Sequence, residues 1–319
     1  MDKPLAVVVS DETILPEICG ANDSNLKVLE ELLGVPVFSR GNEILLDTSD
    51  DAIEKTFKLL LKHIEEHVRL GQLPGPDLIR SLHASLANGE SQKADFLKRN
   101  LVVIPNGHRK VYPRTYNQAV YLDAIDRNEL IFGVGPAGTG KTYLAVAQAL
   151  KHVLGQSRRK LIITRPVVEA GESLGFLPGD LTQKIHPYLR PLYDAIESLI
   201  PMESFRRMEE NGVIEIAPLA YMRGRTLSEA FIILDEAQNT TREQMKMFLT
   251  RIGENSRTVV TGDITQIDLP RKSDSGLLTV IPILKTIREI SFTFFEERDV
   301  VRNPLVRKIV HAYETAHEE

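Results

Sequence analysis

The 319-residue sequence predicts an α/β fold, a mostly parallel sheet flanked by helices, preceded by a small α+β module. Three observations carry this. Apolar runs at 129–134, 160–164, 213–217, 230–235, 256–261 and 290–296 alternate with helical patterns, as buried parallel strands joined by helices do. The run Leu130-Ile131-Phe132-Gly133-Val134 leads into Gly135-Pro136-Ala137-Gly138-Thr139-Gly140-Lys141-Thr142 and leaves through the helical Tyr143-Leu144-Ala145-Val146-Ala147. The run Phe231-Ile232-Ile233-Leu234 ends in Asp235-Glu236, two carboxylates at a strand's carboxyl end, where ligands bind in such sheets.

In chain order, Asn25 to Leu33 and Ala52 to Leu70 carry helical periodicity. Pro36-Val37-Phe38 and Glu43-Ile44-Leu45-Leu46 alternate across the turn Arg40-Gly41-Asn42, which completes a small α+β module. His63-Ile64-Glu65-Glu66-His67 spells H-x-x-E-H, a zinc-peptidase spacing. The stretch reads instead as an amphipathic helix with Leu59, Leu60, Leu61, Ile64 and Val68 buried and both histidines on the solvated face. Residues 88–100 turn polar, which sets the domain boundary there: 1–99 for the small module and 100–319 for the larger domain. The larger domain opens as a hairpin, Val102-Val103-Ile104-Pro105 and Arg109-Lys110-Val111-Tyr112 around Asn106-Gly107, a pair suited to positive φ.

The chemistry concentrates in four places. Residues 135–142 complete the G-x-x-x-x-G-K-[ST] phosphate loop, in which Gly135, Pro136, Ala137, Gly138, Thr139 and Gly140 turn backbone N–H groups toward phosphates. Lys141 is expected to reach the β- and γ-phosphates of a nucleoside triphosphate, and Thr142 to hold Mg²⁺ through its hydroxyl. Asp235 is expected to take the same Mg²⁺, and Glu236 to orient and deprotonate an attacking water. The run Thr258-Val259-Val260-Thr261-Gly262-Asp263 brings Gln266 to the sheet edge, where an amide can sense a γ-phosphate. Gln118, 17 residues before the loop, offers an amide that could read adenine or simply sit on a helix surface.

Composition narrows the classes. A 42% hydrophobic, 26% charged chain is globular rather than disordered. The lone Cys19 excludes an internal disulfide and suits a reducing compartment. The opening Met1-Asp2-Lys3-Pro4 starts no signal segment, and no run approaches the roughly 18 apolar residues of a membrane span, so a cytoplasmic protein without a membrane partner is expected. Residues 1–100 hold 11 Lys/Arg against 17 Asp/Glu, so the acidic excess belongs to the N-terminal module. No separate acidic cluster suggests a nuclease, and cleavage would come from a protein partner such as an RNase.

Gly135–Thr142, Thr164-Arg165-Pro166-Val167-Val168-Glu169-Ala170-Gly171, Gly175-Phe176-Leu177-Pro178-Gly179-Asp180, Met222-Arg223-Gly224-Arg225-Thr226, Asp235-Glu236-Ala237-Gln238-Asn239 and Gly262-Asp263-Ile264-Thr265-Gln266 together resemble the PhoH family of ATPases. The resemblance implies a P-loop NTPase domain of RecA-like type, similar to the first motor domain of superfamily 1 helicases. It implies ATP and Mg²⁺ as cofactors, adenine read by Gln118, phosphate held by Lys141, hydrolysis by Asp235 and Glu236, and γ-phosphate sensed by Gln266. RNA as partner, gripped near Thr164-Arg165-Pro166, and a hexameric ring follow from the same resemblance.

Unlike those helicases, the chain carries no second motor domain after its last strand, so an arginine finger would come from a neighbouring subunit. Arg225 is the favoured finger, beside Arg223, Arg251 and Arg302 as further candidates. Gly20-Ala21-Asn22-Asp23 and the Val35–Asp47 hairpin are similar to a KH-type RNA-binding domain, although Asp23 stands where the clamp has glycine and would repel phosphate. Two other readings stand beside an RNA-coupled ATPase. One is a nucleotide-gated scaffold with slow turnover; the other, a small-molecule kinase, fits Glu236 and Gln266 less well because both suit an attacking water.

Overall fold

The computed structural model describes residues 4–87, 91–106, 109–167 and 181–301. The chain forms two compact units, Met1–Leu101 with Tyr112–Ala119, and Val102–Val111 with Val120–Glu319.

In the first unit β1 (Leu5–Val8), β2 (Val37–Arg40) and β3 (Glu43–Leu46) form an antiparallel sheet of order β1-β3-β2. Leu46, fully buried, faces Leu5 on one side and Val37 on the other. Helices α1 (Leu15–Cys19), α2 (Ser24–Leu33), α3 (Asp51–Arg69), α4 (Pro76–Ala87) and α5 (Ser91–Arg99) complete the unit. α3 begins where the Asp50 carboxylate accepts from the N–H groups of Ala52 and Ile53, satisfying two of the donors a helix start leaves free. The polar stretch read as the domain boundary carries α5: Ala94 and Leu97 are its buried stripe, while Gln92 and Arg99 are exposed.

A correction concerns the histidines. His63 and His67 are not on a solvated face; they are 6% and 0% exposed and share the buried side of α3 with Phe57, Leu60, Leu61, Ile64 and Val68. The apolar stripe is wide enough to include them, and Gln72 Oε1, 2.6 Å from His67 Nδ1, satisfies one ring nitrogen.

The second unit opens with the short antiparallel pair β4 (Val102–Val103) and β5 (Lys110–Val111), and Val102 faces Val111 as the hairpin reading expects. Gly107 lies outside the described residues. α6 (Tyr116–Arg127) follows, then β6 (Leu130–Val134), α7 (Lys141–Leu154), β7 (Lys160–Arg165), α8 (Leu181–Glu197), α9 (Met202–Glu210), β8 (Ile214–Pro218), β9 (Ala230–Leu234), α10 (Arg242–Leu249), β10 (Arg257–Gly262), α11 (Gly276–Leu284) and β11 (Ile290–Phe294). The six strands from β6 onward match the six apolar runs. They pair in parallel throughout, in the order β11-β6-β10-β9-β7-β8.

Alternation along these strands explains why they read as unbroken apolar runs. Ile131, Leu161, Ile163, Phe231, Ile233 and Val259 face a core shared with α6 to α9. Phe132, Ile162, Ile232, Leu234 and Val260 face the opposite core with α10 and α11. Both faces are covered, so both sets must be apolar. Because all six strands run the same way, their carboxyl ends share one edge, and that edge receives the residues after β6, β7, β9 and β10. No helix among the described residues is long and apolar enough to cross a membrane.

The buried His67 makes the stability of the N-terminal unit depend on pH. Burial holds its imidazole down to about 4, against an ordinary value of 6.5. The folded state favours the neutral ring, so this contribution is complete above pH 6.5 and is lost as pH falls from there toward about 4. The slope is up to about 1.4 kcal/mol per pH unit. Urea unfolding at pH 7 and pH 5 should show a larger loss for the wild type than for His67→Gln, and equal losses would refute the assignment.

Candidate active site

The phosphate loop bridges β6 and α7, as its sequence context requires. Gly140 precedes α7 at φ +80°, in the left-handed region glycine enters without cost. A side chain at Gly135 would meet the Phe295 carbonyl oxygen at 2.5 Å, so the loop's entry admits no Cβ. Gly135 N–H donates to Gly262 O at 3.1 Å, fastening the loop to the end of β10. Val301 N–H donates to Gly138 O at 2.9 Å, so the chain after β11 returns to the same loop.

A cleft of about 250 Å³ opens over the loop, lined by Ala137, Gly138, Gly140 to Tyr143, Asp235, Glu236, Gly262, Asp263 and Gln266. That is below the roughly 300–1,000 Å³ of pockets enclosing whole ligands, and it suits a phosphate tail rather than an entire nucleotide. Lys141 is buried, and its ammonium donates to Gly135 O at 2.6 Å, Pro136 O at 2.7 Å and Thr139 Oγ1 at 3.2 Å. These neutral oxygens satisfy the ammonium at the position where phosphate oxygens would serve it better.

Asp235 joins three elements. Its Oδ1 accepts from Thr142 Oγ1 at 2.6 Å and from Thr261 Oγ1 at 2.7 Å, and its N–H donates to Thr164 O at 2.9 Å. A hydroxyl and a carboxylate in contact at the cleft wall are hard oxygen donors of the type Mg²⁺ prefers, so Thr142 and Asp235 fit that ion.

Glu236 follows with φ +52°, a left-handed backbone that is uncommon for a residue with a Cβ and marks local strain. Burial first, and then the neighbouring Asp235 charge, push its carboxyl above the ordinary glutamate range. The hydrogen bond from Gln238 and the charges of Arg165 and Lys141 oppose that rise. A carboxylate with raised proton affinity is a better base toward water.

Asp263 and Gln266 reach the cleft as the second acid-bearing strand suggests. Asp263 Oδ2 accepts from Ala137 N–H at 3.0 Å, and its Oδ1 from Thr265 N–H at 2.9 Å, so it braces the loop from below. Gln266 is exposed at the cleft rim.

Other predicted residues are not gathered at the cleft. Gln118 belongs to the first compact unit, buried on α6, where its Oε1 accepts from Arg114 N–H at 2.7 Å. Arg225 makes a two-point ion pair with Glu215, Nη1 to Oε1 at 2.5 Å and Nη2 to Oε2 at 2.7 Å. Arg223 is exposed, and Arg251 Nη1 donates to Arg225 O at 3.3 Å. Arg302 and the segments Val168–Gly171 and Gly175–Asp180 lie outside the described residues. Arg165, read as part of a grip on nucleic acid, has its Nη2 3.2 Å from Glu236 Oε1.

Sequence reasoning gave no role to Gln238, which is 1% exposed and occupies the centre of the site. Its Nε2 donates to Glu236 Oε2 at 2.5 Å and to Gln266 O at 3.1 Å, while its Oε1 accepts from Asp263 N–H at 3.0 Å. The available signal was an amide two residues beyond a left-handed acid, too short a pattern to stand alone.

The chain is similar to known proteins over most of its length. A family model described as PhoH-like protein matches residues 110–314. The chain is similar to a PhoH-like protein of Mycobacterium tuberculosis strain H37Rv, 48% identical over 299 residues that cover 93% of this chain and 84% of that protein. It is 45% identical to a PhoH-like protein of Bacillus subtilis over 298 residues, 92% of each chain. Protein PhoH of Escherichia coli K12 is 45% identical over 205 residues, 64% of this chain and 58% of that protein.

Gln238→Leu keeps much of the side-chain volume and removes all three bonds. Asp263 N–H and Gln266 O then lose those partners, and urea unfolding should show a loss of about 1–3 kcal/mol. A change within about 0.5 kcal/mol of wild type, as for ordinary surface substitutions, would remove Gln238 from the centre of the network.

Proposed function

The chain belongs to the PhoH-like protein family, and we propose on that premise that it binds ATP with Mg²⁺ and hydrolyses it, coupling turnover to RNA as a cytoplasmic ring oligomer. The observation that carries the ATPase reading is the contact of Thr142 with Asp235 at 2.6 Å, beside Lys141 and Glu236 in one cleft.

In this reading the N–H groups of the loop and the start of α7 receive the phosphate tail, and Lys141 exchanges its loop carbonyls for phosphate oxygens. Thr142 and Asp235 would hold Mg²⁺, whose charge would offset that of the phosphates. Glu236 accepts a proton from water as the water oxygen bonds to the γ-phosphorus and the bond to the bridging oxygen breaks, giving ADP and phosphate. The proton then passes from Glu236 to product or solvent. Gln266 at the rim contacts the γ-phosphate and loses that contact on hydrolysis.

In this reading ring assembly supplies an arginine from a neighbouring subunit. Arg225 remains the proposed finger, and reaching a neighbour's site requires it to leave Glu215; the exposed Arg223, two residues earlier, shares the task. The RNA partner rests on family resemblance, and so does adenine contact by Gln118. The single cysteine, Cys19, supports a reducing compartment.

Steady-state ATP hydrolysis with and without single-stranded RNA tests the reading. Lys141→Ala should lose ATP binding, and Glu236→Gln should bind ATP while kcat falls about 10²–10⁴-fold. Full activity in Glu236→Gln would remove it as the base. RNA stimulation of about tenfold, a gain of ~1.4 kcal/mol in the barrier, is the expected result, whereas RNA-indifferent turnover would favour a nucleotide-gated scaffold.

A further inference from the structure

We propose that Arg165 is a positioning residue for the carboxylate of Glu236, tying the base to the backbone of α8; this rests on the ATPase reading above. Arg165 ends β7, next to β9 in the sheet, so its side chain starts one strand away from the acid. Its Nη2 lies 3.2 Å from Glu236 Oε1, and its Nη1 donates to Tyr188 O in α8 at 3.1 Å. Gln238 Nε2 holds the other carboxylate oxygen, Oε2, at 2.5 Å.

Each oxygen of the base therefore has its own partner, a guanidinium in ion-pair contact at Oε1 and an amide donor at Oε2, and the two come from different elements. Two fixed points define the carboxylate plane, whereas one would leave it free to rotate about its last torsion, which is broad and roughly two-fold. Each oxygen also retains a second lone pair with which to accept a proton. The Arg165 and Glu236 side chains are 22% and 35% exposed, so water screens the pair and its worth for folding is small. Its geometry suits orientation better than stabilisation. A guanidinium is required because its planar fork meets the carboxylate and the α8 carbonyl at once, which a single ammonium does not do.

Nucleotide binding makes a different demand. Arg165 does not line the cleft, whose wall is formed by the loop, Asp235, Glu236, Asp263 and Gln266. Its loss should therefore change the chemical step and leave ground-state affinity nearly intact.

The test is ATP hydrolysis by the full chain, comparing wild type, Arg165→Ala, Arg165→Lys, Glu236→Gln and Arg165→Ala/Glu236→Gln. Arg165→Ala should lower kcat about tenfold to a hundredfold, with KM for ATP within about twofold of wild type, and Arg165→Lys should recover only part of the rate. In the Glu236→Gln background the Arg165→Ala change should have no further effect, because its action passes through Glu236. A raised KM with unchanged kcat, or a full extra loss in the double variant, overturns the proposal. If wild type does not hydrolyse ATP, the ATPase reading fails by itself. Urea unfolding of wild type, the two single variants Arg165→Ala and Glu236→Gln and their double then decides the pairing, for which a small coupling is expected: any non-additive change beyond error retains it and additive changes remove it.

Discussion

Asp235 Oδ1 accepts two hydroxyl hydrogen bonds, from Thr142 at the start of α7 and from Thr261 near the end of β10, while its own N–H is held by Thr164 of β7. One carboxylate thereby fastens the helix that follows the phosphate loop to the strands beside β9. The arrangement depends on parallel pairing, because only strands running the same way bring Thr164, Asp235 and Thr261 to one level of one edge. Around that point the remaining parts are added: Asp263 beneath the loop, Gln238 between the acids and β10, and Arg165 from the next strand.

Much of this was legible in the sequence because the constraints are local or periodic. Six strands buried on both faces cannot avoid apolar runs, and Gly135 to Thr142 has a spacing that phosphate binding by backbone amides imposes. What was not legible depends on burial and on contacts distant in sequence. β1 is four residues long with alternate positions half-buried, too short to separate from loop by pattern. α5 was hidden by its polar outer face, since Ala94 and Leu97 are a narrow stripe. The histidines of α3 went to the wrong side because residue type suggested polarity while the helix packs along a wide face. Gln238 and Arg165 acquire roles only through partners that strand order brings near, such as Asp263, 25 residues further on.

The site also carries like charges in close quarters. Asp235 and Glu236 are adjacent, Asp263 is nearby, and compensation comes from one buried ammonium, one guanidinium and several hydroxyl and amide donors. Such a network is costly to leave half satisfied, and here each acid has named donors. Lys141, bonded to the oxygens of its own loop, holds the loop's curvature through the same contacts.

The left-handed backbone at Glu236 has an evolutionary consequence. A residue with a Cβ at φ +52° costs about 1–3 kcal/mol that glycine would recover. Selection for thermal resistance alone would thus favour glycine at this position. On the proposed ATPase reading, glutamate there trades robustness for chemistry, and a heat-tolerant variant with glycine would be expected to have lost hydrolysis.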